Sequence, residues 1–235
     1  MESKGVRMFD EVTRERVIRG WNGRNPWSDE LRMEGNGIHS IFYAPFDHVN
    51  EAARLTIVGI TPGVTQARLA LFTAQQALQS GTDLDEALAR AKSAASFGGP
   101  TRRNLVAMLD AIGLPALLGI RDAAALFEDQ VRQVHFASVL RYPVLTRRDM
   151  LGDAAAALNY PMLTRWMEHG FVSEVARLGH SLFLPLGRGV EMVLEHLVGR
   201  GLLRSSQVLV GLPHPSGANS ERIAYFLGRK PRESL

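Results

Sequence analysis

The sequence predicts an α/β fold in which a parallel sheet is covered by helices on both faces. Three observations carry this. Four short apolar runs, at 55–59, 131–140, 181–186 and 207–211, have the length and composition of buried strands. Helical patterns separate them, as parallel strands require. Turn-forming segments follow the first and the last run, where strands of such a sheet hand over to helices.

The elements follow in order. Residues 8–20 read as a helix, ended by the Gly, Asn and Pro punctuation of Trp21-Asn-Gly-Arg-Asn-Pro-Trp27. The run 55–59 enters the turn Ile60-Thr-Pro-Gly63. Residues 65–95 are helical, broken at Ser80-Gly-Thr-Asp83, where Thr82 or Asp83 caps a second helix. Ser96-Phe-Gly-Gly-Pro-Thr101 is a loop. Residues 102–112 form an amphipathic helix with Leu105, Val106, Leu109 and Ile112 on one face, stopped by Gly113. After the run 131–140 comes the loop Arg141-Tyr-Pro-Val-Leu-Thr146. A helix over 161–178, the run 181–186, a helix over 190–200, the run 207–211 and a last helix from Ser220 complete the chain. There is no internal repeat and no low-complexity linker.

Composition excludes several classes. The 235 residues are enough to bury a core, and 46% of them are apolar, too many for a disordered chain. With no cysteine there is no disulfide framework, thiolate zinc site, iron–sulfur cluster or cysteine nucleophile. No run reaches the ~18 apolar residues of a membrane span. The first seven residues lack the apolar core of a signal peptide, so a cytoplasmic protein without membrane contact is expected. Lysine stands only at 4, 92 and 230, so 24 of the 27 cations are arginine. Arginine forks suit phosphate oxygens and base edges, although GC-rich coding gives the same bias. A net charge of +3 permits a nucleic-acid partner without demanding one.

In an open parallel sheet, ligands sit at the carboxyl ends of the strands. The loops 60–66 and 212–219 both fall at that edge, which places one site between them. The turn Gly59-Ile-Thr-Pro-Gly63 offers backbone N–H groups to an anion or carbonyl. In His214-Pro-Ser-Gly-Ala-Asn219, proline stiffens the chain around one imidazole. A neutral imidazole N–H there can hold a developing anion, or the histidine can cap the helix that follows.

Taken together these segments resemble the uracil-DNA glycosylase superfamily, over roughly residues 55–227. Gly59-Ile-Thr-Pro-Gly63 is similar to its first motif, Ser96-Phe-Gly-Gly-Pro-Thr101 to the segment whose aromatic ring stacks on an extruded base, and His214-Pro-Ser216 to its final motif. Residues 135–140 stand where the superfamily has a strand bearing a base-reading Asn, and Leu184-Pro-Leu-Gly187 resembles the segment before the last strand. The resemblance implies a three-layer α/β/α sandwich with a four-stranded parallel sheet. It implies one domain over 1–235, with residues 1–50 as an N-terminal extension packed on it, and a monomer acting on DNA without metal or other cofactor. His214 would stabilise the departing base, Phe97 would stack on it, and Ile60, Gly63, Gln66, Ser138 and Ser216 would line its pocket. Arg102, Arg103, Arg141, Asn219 and Arg222 are candidates for DNA contacts, with Arg147 and Arg148 beside them.

Two departures shape the expectation. The superfamily places a water-orienting Asp, Asn or Glu in the first motif, whereas Ile60 and Thr61 stand here. Thr61 can orient water but is no base at neutral pH. Asp47, in Tyr43-Ala-Pro-Phe-Asp47, is the first candidate for a carboxylate from elsewhere, or else a turn residue. Ser138 stands at the Asn position and cannot match both groups of a uracil edge, so a larger modified or damaged pyrimidine is expected, including the hypermodified bases of phage DNA. The alternatives are a non-catalytic nucleic-acid-binding protein, a classical uracil-DNA glycosylase of base excision repair, and an enzyme on free nucleosides or nucleotides.

Overall fold

The computed structural model describes residues 8–231. Its strands are β1 (Arg32–Gly35), β2 (His39–Phe42), β3 (Leu55–Gly59), β4 (Val134–Ser138), β5 (Val144–Thr146) and β6 (Leu182–Pro185). Its helices are α1 (Glu11–Gly20), α2 (Val64–Gln79), α3 (Leu84–Ala95), α4 (Pro100–Ala111), α5 (Leu114–Leu118), α6 (Ala156–Asn159), α7 (Pro161–Met167), α8 (Ser173–Arg177), α9 (Arg188–Gly199) and α10 (Ser220–Phe226). Among the described residues no helix is long and apolar enough to cross a membrane.

The fold is α/β. A parallel sheet of order β4-β3-β6 lies at the centre, with Gly59 paired to Ser138 and Val58 to Pro185. Alternation along the strands sends side chains to two separate apolar clusters. Leu55, Ile57, Phe136 and Leu184 pack with Leu105, Met108 and Leu109 of α4 and Ile223 of α10. Val58, Ala137 and Phe183 pack with α2, α3, α7 and α9. Alanines at 67, 70, 74 and 77 of α2 and at 87, 91 and 95 of α3 let these two helices approach closely. Asp83 caps α3, accepting from the Glu86 N–H at 2.9 Å.

The regular sheet has three strands, not the expected four. The segment 207–212 starts as a 3₁₀ turn, Ser205–Gln207, and meets β6 only at two parallel bridges, Phe183 to Val208 and Leu186 to Leu212. Gly211, at φ +112°, interrupts the extended backbone between them, and its N–H goes to the Glu191 carboxylate at 2.9 Å instead of to β6. The expected apolar face of α4 is also adjusted. Leu105 and Leu109 are buried, but Met108 joins them and Ile112 is exposed.

Two features carried no signal in the sequence reading. The first is an antiparallel sheet, β1-β2-β5, which joins an N-terminal hairpin to the segment after β4. Its hairpin turns at Asn36-Gly37, where Asn36 Oδ1 accepts from the N–H groups of Ile38 and His39 and Gly37 takes φ +80°. The second is a π-helical turn, Glu168–Val172, between α7 and α8, inside what reads as one helix. The Arg141 guanidinium donates to the Gly170 carbonyl there, 3.0 Å away. A Cβ on Gly170 would lie 3.3 Å from the Arg141 Cβ, so a larger residue would crowd this contact.

Arg141 also anchors a buried charge cluster behind the sheet. Its Nε donates to Glu174 Oε1 at 2.7 Å, His135 Nε2 lies 2.8 Å from Glu174 Oε2, and Lys92 Nζ stands 3.9 Å from the same oxygen. His135 Nδ1 accepts from the Asn50 N–H at 3.3 Å, so the imidazole is neutral with its proton on Nε2. Burial, then the nearby Lys92 charge, pushes this histidine down to about 4. The unfolded chain takes up that proton near pH 6.5 while the folded one does not, so stability falls as pH drops from 6.5 towards 4. The expected loss is up to about 3 kcal/mol, read from denaturant midpoints across that window. A flat profile would contradict the assigned protonation state.

Candidate functional site

A cleft of about 690 Å³ opens at the carboxyl ends of β3 and β4. Its walls are the turn 59–66 after β3, the loop 96–101 before α4, the end of β4 at 136–138, the segment 149–152 after β5, Phe46, and the loop residues His214, Ser216, Ala218 and Asn219. Ile60, Thr61, Gly63, Gln66, Phe97, Ser138, His214, Ser216 and Asn219 therefore share one cavity, although they come from four distant stretches of chain.

His214 is held in a defined state. The Ser216 N–H donates to its Nδ1 at 3.3 Å, which leaves the proton on Nε2 as a donor. Burial lowers its pKa below the ordinary imidazole value and keeps the ring neutral. The loop is tied to α4 by Asn104, whose amide donates to the Pro215 carbonyl at 2.9 Å. Gly187, at φ +90°, permits a close approach: a Cβ there would stand 3.1 Å from the His214 Cβ.

Phe97 is the one non-glycine residue with positive φ among the described residues, at +52°. Such backbone costs about 1–3 kcal/mol and persists where the surroundings impose it. The ring meets Phe136 edge-on at 5.7 Å and crosses over Gly59, where a Cβ would lie 3.4 Å from it. It is mostly buried, so it belongs both to the core and to the cleft wall. Arg102 braces this loop: one guanidinium nitrogen donates to the carbonyls of Ala94 and Ser96, at 2.9 and 2.7 Å, and the group lies 4.6 Å from the centre of the Phe127 ring. Arg102 is thus a structural tie and not a free phosphate ligand.

Two other expectations are corrected, and Thr61 is found bound on both sides. The Arg141 guanidinium is largely buried and bound to Glu174 and Gly170. Asp47 accepts from the hydroxyls of Tyr43 and Tyr142 and lies 3.5 Å from Arg14; it does not line the cleft, whereas its neighbour Phe46 does. The Thr61 hydroxyl gives its single proton to the Tyr142 carbonyl at 2.9 Å and accepts from the Val144 N–H at 3.1 Å. It fastens the first turn to the segment after β4, and these two bonds leave it one lone pair.

Gln66 Oε1 accepts from the Gly63 N–H at 2.7 Å, so the amide nitrogen remains as a donor. Arg103 and Arg222 are exposed, with Arg222 lining a second cavity across His214. Arg147 donates to the Gly37 carbonyl, and Arg148 is exposed beside it. The wall 149–152 was missed by the sequence reading, because the hairpin that positions β5 was missed as well.

Fold and cavity together define an α/β protein with a polar and aromatic cleft at the carboxyl edge of a parallel sheet. The chain belongs to the family of the uncharacterized protein YoxB of Bacillus subtilis (strain 168), to which it is 36% identical over 206 residues, 86% of this chain and 80% of that protein. No family model matches the chain, and no solved structure matches it significantly.

Proposed function

We propose that this chain is a monofunctional DNA glycosylase that hydrolyses the N-glycosidic bond of an extruded, modified or damaged pyrimidine. The observation that carries the reading is the meeting of Phe97, Ser138 and a neutral His214 in one cleft. A base leaving a sugar takes the bonding electrons with it. A donor fixed where that negative charge appears lowers the barrier, and His214 Nε2–H is such a donor. The N-terminal turns of α2 and α4 also face the cleft, through residues 63–65 and 99–101, and their partial positive charge favours the same anion or a flanking phosphate. No lysine lines the cleft among the described residues, which fits simple hydrolysis over Schiff-base chemistry.

The Ser138 hydroxyl has no hydrogen-bond partner among the described residues and is shorter than an amide reader. This supports a preference for a base with a substituent over plain uracil, including the hypermodified bases of phage DNA and with them a role in defence. The same reading takes the segment 207–212 as an irregular fourth strand of an α/β/α sandwich, and the protein as a cytoplasmic monomer without a cofactor. Exposed Arg103 and Arg222, with Asn219, remain its candidate DNA contacts.

The test is single-turnover incubation with duplexes holding uracil, hydroxymethylcytosine or glucosylated cytosine, followed by alkali cleavage of abasic sites. Release of a modified base faster than uracil is expected. Uracil released fastest by a wide margin would overturn the preference, and no release from any duplex would overturn the reaction. One observation favours a second reading: Ile60 and Thr61 give the first motif neither a carboxylate nor an amide, as in a nucleic-acid-binding protein without activity. Tight, salt-sensitive duplex binding without product would mark that case.

Phe97→Ala should weaken capture of the extruded base by about 1–3 kcal/mol, the range of base–aromatic stacking. Comparing affinity for a duplex with a stable abasic analogue and for one with an intact modified base isolates the stacking part. Equal losses on both would place Phe97 in the core alone.

A further inference from the structure

Hydrolysis needs a group that takes a proton from water, and the first motif does not supply it. Among the described residues lining the cleft, Asp149 carries the one carboxylate. We propose that Asp149 is the general base of this site, a role that rests on the glycosylase reading above.

The turn that carries Asp149 is built to hold it. The Thr146 N–H and hydroxyl both donate to the Asp149 carbonyl, at 2.7 and 2.9 Å, and the Asp149 N–H donates back to the Thr146 hydroxyl at 3.1 Å. Leu145 and Met150 form an antiparallel bridge across the same turn. Arg147 fastens it to the β1–β2 hairpin through the Gly37 carbonyl. One carboxylate oxygen accepts from the Met150 N–H at 2.7 Å, which orients the side chain, and the other oxygen has no partner among the described residues.

The remaining polar groups of the cleft are less suited. The hydroxyls and amides that line it, Thr61 and Gln66 among them, are not bases at neutral pH, and the acceptor nitrogen of His214, Nδ1, is bound to the Ser216 N–H. Placement agrees with the chemistry. Water must approach the sugar on the face away from the leaving base, so the group that activates water and the group that holds the base belong on different walls. Asp149 stands on the wall 149–152 and His214 on the loop after β6 and α9. In the step, the water oxygen bonds to the anomeric carbon while its proton passes to Asp149. The carbon–nitrogen bond breaks, and its electron pair leaves on the base, held by His214 Nε2–H. The base then takes a proton from solvent, and Asp149 returns its own.

The experiment measures single-turnover release from the three duplexes named above, for the parent, Asp149→Asn and Asp149→Ala. Asn retains the acceptor for the Met150 N–H, and equal melting temperatures check that the fold is kept. The expected loss is about 10²–10⁴-fold in both variants, the usual contribution of a general base. Sodium formate should restore part of the rate in Asp149→Ala, because a small carboxylate can enter the space vacated; a purely structural role gives no such rescue. Parent-like rates in either variant, or losses that formate does not relieve, would overturn the assignment while leaving the glycosylase reading intact. A parent inactive on every duplex would overturn both.

Discussion

His214→Ala is expected to lower base release by about 10²–10³-fold, the effect of removing one donor from a developing anion. The expectation is stronger than for an arbitrary histidine because its protonation state is fixed twice. The Ser216 N–H occupies Nδ1, and burial disfavours the charged ring, so Nε2–H is the form presented to the cleft. Loss should fall on the chemical step and leave duplex affinity nearly unchanged. Single-turnover rates at saturating enzyme separate the two. A variant that releases base as fast as the parent would remove the imidazole from the mechanism. His214→Gln, which keeps an N–H donor, should recover part of the rate if donation is the role.

Glu174→Gln is expected to give the largest loss of stability, about 3–5 kcal/mol, the range for breaking a buried ion pair by removing one partner. Glu174 is 1% exposed and faces Lys92, His135 and Arg141. Burial alone would raise its pKa, but these partners hold it down at about 2. An amide there would leave Lys92 and Arg141 as buried cations without a directly paired anion, with only the more distant charge of Asp47 acting on both. Urea denaturation of parent and variant measures the difference. A loss under about 1 kcal/mol would mean that the cations shed charge or reach solvent without cost. The cluster also bears on the site, because β4 carries His135 on one side and ends at Ser138 in the cleft. Loosening it should broaden substrate preference before it abolishes folding.

The candidate site was partly legible in the sequence. His214 and the 60–66 turn could be placed together because parallel strands end on one edge, and three of the four predicted strands form the regular sheet. Phe97 was singled out from its loop, Ser96-Phe-Gly-Gly, but its positive φ and its contact with Gly59 exist only in three dimensions. The Tyr43-Ala-Pro-Phe-Asp47 segment was also singled out, for the wrong residue. Its phenylalanine lines the cleft, and its aspartate turns to two tyrosines and an arginine.

What the sequence determined by itself was periodic or local: the strand and helix alternation, the Asp83 cap, the absence of thiol chemistry and the edge on which a site forms. These follow from side-chain spacing and from residue types, which need no knowledge of distant partners. Tertiary structure alone decided which polar groups remain free. Asp47, Thr61, Arg102 and Arg141 read as reactive or DNA-facing in one dimension, and each is bound to groups 4 to 95 positions away. It also decided that Asp149 enters the cleft, because the turn that carries it is set by a hairpin more than 100 residues earlier. A hydrogen-bond partner is a matter of distance in space, and a chain that returns on itself makes that distance independent of separation in sequence.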